Sequence, residues 1–369
     1  MKKFIAFYFA LILPALVLYG LVFFYYSSSH NLLDKVNFSA SLADSDGSEA
    51  ASSTETSIAS STPEDIVSGE ASIIFVGDMM LSRGVAQKIK EQKDLRYPFL
   101  KIGDYLKTAD LVFGNLETAL TEGREIGSEE TVFRSAPEVA FVLKDFGFSV
   151  ISLANNHTMN FGRGGLADTM LNLAEAQVAY AGAGRNAFEA YWPTFIAENG
   201  VMFAFLAYTD NDVIPASYFA TATTTGVAYM DTVKMKQTVN LAKLVADVVI
   251  VSMHSGTEYI DYPNTRQKKF AHAAVDAGAD LVIGHHPHVA QSAEKYKGKY
   301  IFYSLGNFIF DQRAQRTKEG IILKAIFNKQ GIKQIKPQAI YIENFSQPTL
   351  LSGEPAQKVI SRLKIVLGQ

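Results

Sequence analysis

Five of the seven histidines in this chain of 369 residues fall in short polar clusters, each directly behind an apolar run. Asp78 ends SIIFVGD, Asn115 and Glu117 end DLVFGNLE, and Asn155, Asn156 and His157 end VISLANNH. His254 ends DVVIVSMH, with Glu258 in the loop that follows. His285, His286 and His288 end DLVIGHHPH, and Asn307 ends IFYSLGN. Carboxylates, imidazoles and carboxamides are the groups that hard and borderline divalent cations accept. Pro287 stiffens the turn between His286 and His288, and their i, i+2 spacing lets both rings reach one metal centre. The chain has no cysteine, so thiolate ligands and disulfides are excluded. These residues point to one or two divalent ions, Mn, Fe or Zn, held by nitrogen and oxygen.

The elements that must carry these clusters alternate in kind. Ser72–Val76, Leu111–Phe113, Val150–Leu153, Met202–Ala207, Val248–Ser252, Leu281–Ile283 and Tyr300–Tyr303 are short, apolar and rich in β-branched or aromatic residues, which predicts buried strands. Helical patterns lie between them at Pro137–Phe146, Gly165–Ala176, Asp231–Val245 and Arg266–Ala277. This alternation predicts an α/β domain with largely parallel central strands. In such sheets ligands bind outside the carboxyl ends of the strands, where the clusters stand. Gly320–Phe327 and Lys333–Ile342 read as a closing hairpin or meander, and Glu354–Leu367 as a final helix.

The N-terminus differs. Lys2 and Lys3 precede an uncharged apolar run from Phe4 to Tyr26, long enough to cross a bilayer core of about 30 Å. The lysines favour a cytoplasmic N-terminus and put the rest of the chain outside. A cleaved signal peptide is the alternative, but the run is long for one and Tyr25–Ser29 is a poor cleavage site. From Ser39 to Glu70 the chain is rich in Ser, Thr and Ala and carries seven acids and no Lys or Arg, the composition of a flexible tether. The expected organisation is a transmembrane helix at 1–30, an acidic linker at 31–70, the α/β domain at 71–345 and a helical extension at 346–369. The expected location is the cell membrane, single-pass, with the domain on the extracytoplasmic side. Residues 71–369 hold 31 Lys and Arg against 29 Asp and Glu, a balance that does not oppose an anionic substrate. No basic run interleaved with aromatics supports a nucleic-acid partner.

Six stretches, GDMMLSRGV, DLVFGNLET, ISLANNHTMNFG, HSGTEY, GADLVIGHHPHVAQ and YSLGNFIFDQ, occur in order between about Ala71 and Asp311. Together they resemble the CapA family of capsule and poly-γ-glutamate synthesis proteins, which is similar to the calcineurin-like metallophosphatases. The resemblance implies a four-layer α/β/β/α sandwich around a two-metal centre. It puts Asp78 in the place of the first-strand metal carboxylate and Asn115 in that of the bridging Asp, with Glu117 beside it. Asn156, His254, His286 and His288 match metal ligands, and His157 matches the His near the leaving group. Asn155, Glu258, His285 and Asn307 are expected at the substrate. Met80 stands where a phosphatase has a His ligand; within the CapA pattern, Ser255 stands where Trp is usual and Asn160 where Asp is usual before Phe161-Gly162.

Two main functions stay open. One is metal-dependent hydrolysis or transfer at a phosphoester or at an amide of an anionic polymer. The other is a non-catalytic component that binds such a polymer and passes it to other membrane subunits of a capsule synthesis complex. A folded domain with a vestigial site is the third reading.

Overall fold

The computed structural model describes residues 69–364 and the backbone of Val366–Leu367. The expected transmembrane helix and nearly all of the expected linker lie outside the described residues. Among the described residues no helix is long and apolar enough to cross a membrane. The strands that build the domain are β1 (Glu70–Met79), β2 (Leu111–Leu116), β3 (Phe148–Ser152), β4 (Ala179–Ala181), β5 (Thr194–Glu198), β6 (Val201–Thr209), β7 (Val248–His254), β8 (Leu281–His285), β9 (Ala293–Tyr296), β10 (Lys299–Phe302), β11 (Asn307–Ile309), β12 (Glu319–Asn328), β13 (Gly331–Glu343), β14 (Gln347–Leu350) and β15 (Val366–Leu367). The main helices are α1 (Arg83–Gln92), α2 (Val139–Asp145), α3 (Gly162–Glu175), α4 (Thr232–Lys243), α5 (Thr265–Asp276) and α6 (Gly353–Ile360).

The strands form two mixed sheets. The first runs β14-β13-β12-β1-β2-β3-β4, with β11 also paired to β1; the second runs β15-β9-β10-β8-β7-β6-β5. Side-chain alternation along the strands explains how they stack. In β1, Ile73 and Phe75 enter the core between the sheets, whereas Ile74 and Val76 enter an outer core with α1, α2 and α3. In β6, Phe203 and Phe205 face the same inter-sheet core, whereas Ala204 and Leu206 meet α4 and α5 on the other side. The result is helices, sheet, sheet, helices. Phe113 and Phe205 stack across the central layer, centroids 5.7 Å apart. The first turns of α4 and α5 are capped by Asp231 and by an Asn264–Gln267 capping box.

Four sequence expectations need correction. Asn307 does not end the Tyr300 strand. After Phe302 the chain leaves the second sheet, and Asn307 opens β11 beside β1 in the first. The segment after residue 345 is no appendage, because β14 pairs with β13 and α6 places Ala356 and Val359 in the inter-sheet core. The final helix is shorter than expected, giving way to β15 alongside β9. Glu70, expected in the linker, is the first residue of β1.

A bulge in β1 sets the phase of the site. β1 and β2 pair at Phe75↔Phe113 and again at Asp78↔Asn115, three residues against two. The extra residue turns Asp78 inward, onto the face already held by Phe75 and Phe113. Gly77 in the bulge lets the Gly306 carbonyl come close enough to accept from the Asp78 N–H at 3.0 Å. A Cβ on Gly77 would stand 1.9 Å from that oxygen. Gly77→Ala is therefore expected to destabilise the fold by about 3 kcal/mol or more, read as a lowered denaturation midpoint.

Candidate functional site

The polar clusters meet at the carboxyl edge of both sheets. Alternation along β7 and β8 places His254 and His285 on the inter-sheet face after Val248 and Ile250, and after Leu281 and Ile283. Register holds His254 next to His285 on one sheet and Asp78 next to Asn115 on the other. The stack brings these pairs together.

Asp78 is the fully buried centre. Its Oδ1 accepts from Asn115 Nδ2 at 2.8 Å and lies 3.2 Å from His285 Nδ1. Its Oδ2 accepts from the His286 N–H at 3.1 Å and lies 3.6 Å from His288 Nδ1. Burial alone would raise the Asp78 pKa. His285, His288 and His254 around it outweigh that and hold the carboxyl below the ordinary range, so it is ionised. Glu117 goes the other way. Burial, and then the negative charge of Asp78, push its pKa well above the usual value.

Two of the imidazoles, His254 and His286, are held toward their neutral form. Burial, then His286, lowers His254 well below its ordinary pKa. Burial takes His286 down to about 3, aided by His288. His286 and His288 both adopt left-handed backbone, φ +98° and +58°, a strained state for non-glycine residues. The contacts that hold it are His286 N–H to Asp78, Tyr259 N–H to the Pro287 carbonyl at 2.9 Å, and His288 Nδ1 to Asn307 Oδ1 at 2.9 Å. His254 Nε2 lies 3.1 Å from Asn156 Oδ1.

This donor set fits a divalent cation. Asp78, Glu117 and His254 each offer a ligand atom, all within 4.8 Å of one another. Glu117 Oε2 and His286 Nδ1 are buried without a hydrogen-bond partner, and such orphans are uncommon unless something else satisfies them. Met80 lies outside the set, its sulfur accepting from the Ser82 N–H at 3.1 Å.

His157 stands at the rim, half-buried, its ring 3.9 Å from that of Phe133. Its Nδ1 lies 3.0 Å from Asn160 Oδ1, which also accepts from the Phe133 N–H at 2.8 Å. That oxygen is therefore an acceptor, the proton sits on Nδ1, and Nε2 carries the lone pair. Burial lowers the ring to about 4, so it is neutral near pH 7. His157 is thus prepared to take a proton.

Three residues expected at the substrate are placed elsewhere. Asn155, His285 and Asn307 are all buried. Asn155 is used up by internal bonds to His157, Thr158, Asn115 and Leu116. His285 lies behind Asp78, against Phe113. Asn307 orients His288 and donates to Gln312 and the Thr317 carbonyl. Their work is positioning. Glu258 stays exposed on its loop, next to Tyr259, whose ring is 6.1 Å from His288.

Sequence reasoning missed Arg83 and Asp210. The Arg83 guanidinium lies over Phe133 at 4.7 Å and pairs with Asp311. Asp210 accepts from Ser255 Oγ at 2.9 Å and pairs with Arg266, bracing the strand end that carries His254. Arg83 does stand inside a motif, GDMMLSRGV, whereas nothing local marks Asp210, which matters only through its distant partners.

Between the folded pKa values of His157 and His286 and the unfolded value of about 6.5, these two histidines bind more protons in the unfolded chain than in the folded one. Stability is therefore present above about 6.5 and is lost as pH falls through that window. Thermal unfolding should show the melting temperature dropping between about pH 7 and about pH 4, and less steeply in His157→Gln.

The family profile described as "Bacterial capsule synthesis protein PGA_cap" matches residues 72–312. The "PGA biosynthesis protein CapA" of Bacillus subtilis is 36% identical over 291 residues, covering 78% of this chain and 76% of its own. The "Capsule biosynthesis protein CapA" of Bacillus anthracis is 36% identical over 297 residues, covering 78% and 72%. Among solved structures, the calcineurin-like phosphoesterase YfkN of Bacillus subtilis is a distant likeness, with a TM-score of 0.46 at 15% identity over 80% of this chain and 97% of its own. On the profile match and the two Bacillus relatives, the chain belongs to the bacterial capsule synthesis protein family PGA_cap, the CapA family of capsule and poly-γ-glutamate synthesis.

Proposed function

We propose that this protein is tethered to the cell membrane by its N-terminal segment, with its domain on the extracytoplasmic side. There it acts as a metal-dependent hydrolase or transferase on an anionic polymer or phosphoester in capsule or poly-γ-glutamate synthesis. The observation that carries the enzymatic reading is the pairing of a buried Asp/Glu/His donor set with a neutral, oriented imidazole at its rim. Asp78, Glu117 and His254 would hold the ion, with Asn156, His286 and His288 beside them. When bound, such an ion polarises the scissile group and lowers the pKa of water. Asn160 keeps the His157 proton on Nδ1, so Nε2 takes a proton from the attacking group and returns it to the leaving group. The apolar run from Phe4 to Tyr26, preceded by Lys2 and Lys3, supports the tether. Other membrane subunits of a capsule synthesis complex are the partners that this location offers.

A second reading has its own support. The Met80 sulfur is engaged by Ser82, and Asn115 is neutral where a bridging carboxylate would strengthen metal binding. On that reading the site binds the polymer and passes it on without turnover. Incubating the purified full-length chain with poly-γ-glutamate, and separately with a phosphodiester, discriminates the two. Hydrolysis that requires Mn²⁺, stops with chelator and falls about 100-fold or more in His157→Gln supports the enzyme. Polymer binding with no cleavage under any metal supports the second reading.

A further inference from the structure

The carboxamide of Asn115 sits inside the donor set. Its nitrogen lies 2.8 Å from Asp78 Oδ1, 3.2 Å from Glu117 Oε1 and 3.3 Å from His254 Nδ1. These are the three residues whose ligand atoms cluster. A cation held by all three would have to take the space this NH₂ group fills, and it would meet N–H hydrogens where it needs lone pairs.

Which end of the amide points inward follows from its neighbours. Asn155 Oδ1 lies 3.0 Å from the His157 N–H, 2.9 Å from the Thr158 N–H and 2.8 Å from Thr158 Oγ1. Backbone N–H groups only donate, so the Asn155 oxygen must face them and its NH₂ must face the other way. That NH₂ donates to the Leu116 carbonyl at 2.8 Å and to Asn115 Oδ1 at 3.2 Å. The Asn115 oxygen is thereby held outward and its NH₂ inward. Turning Asn115 over would set NH₂ against NH₂ on one side and bring an oxygen up to Asp78 Oδ1 on the other, where the NH₂ now donates. Only a cation between them would relieve the second contact.

We propose that Asn155 and Asn115 form a carboxamide latch, in which divalent-cation binding at Asp78, Glu117 and His254 requires the Asn115 amide to turn over, so that the ion is held weakly and reversibly. The latch rests on the metal-site reading above. In the turned state Asn115 Oδ1 becomes a further oxygen ligand. Asn155 itself touches none of the three donors and is a positioning residue.

The test is a calorimetric Mn²⁺ titration of the full-length wild type, Asn115→Asp and Asn155→Ala, with melting curves in chelator and in Mn²⁺. In Asn115→Asp the outer oxygen still accepts from Asn155, while the inner atom becomes an acceptor. Mn²⁺ should bind this variant at least about tenfold tighter than wild type. Asn155→Ala frees the amide to turn and should tighten Mn²⁺ about threefold, because the competent state is more populated. Asn115→Asp should melt below wild type in chelator and recover with Mn²⁺; a merely structural role would lower melting in both conditions without tightening the metal. If Asn155→Ala fails to fold, Asn115→Asp decides alone. Mn²⁺ affinity equal in wild type and Asn115→Asp overturns the latch. Tighter metal in Asn115→Asp with no hydrolysis by either protein supports the latch and counts against the hydrolase reading.

Discussion

A single ionised carboxylate, Asp78, is buried where the two sheets meet, and much of the surrounding architecture answers to it. A charge taken out of water is costly unless hydrogen bonds and opposing partial charges replace the lost solvent. Here the replacements come from several distant parts of the chain: the His286 backbone, the Asn115 carboxamide, and the rings of His285 and His288. The bulge that turns Asp78 inward and the strained turn at His286 and His288 are parts of that arrangement. The strain persists because a buried carboxylate and the Asn307 side chain over-determine the turn.

The same charge organises the protonation of its neighbours. Burial, and then the charge of Asp78, drive Glu117 toward its neutral form, and burial does the same for His254 and His286. Buried carboxyls beside His254 form a donor set that suits a cation. His157 is set apart, at the rim, by its own acceptor in Asn160.

Three side chains at or beside the site each make a specific contact. Met80 turns its sulfur to a backbone N–H outside the cluster. Ser255 reaches Asp210, in a buried pair that steadies the end of β7. Asn115 contributes hydrogens at the centre of the donor set. Each of the three is satisfied by a hydrogen bond, so none leaves a buried polar group unpaired.

The sequence by itself determined where the polar clusters stand along the chain. Asp78, Asn115, His254 and His286 each follow an apolar strand directly, and strand-end chemistry is local in sequence. It also determined most strands and four helices, because period-2 and period-3.6 patterns are local too. Helix α1 escaped, its buried face reduced to Val85 and Ile89 among charged residues. The tertiary structure alone decided which polar residues face outward. Asn155, His285 and Asn307 read like ligand contacts, yet the stacking of a second sheet buries them behind the residues they hold. It alone also sent Asn307 across to the first sheet, made Asp210 relevant through Arg266, and oriented the Asn115 amide. The reason is common to all of these. Exposure, and the direction of a carboxamide, depend on partners tens of residues away in the chain, and those partners are defined only once the two sheets have closed over one another.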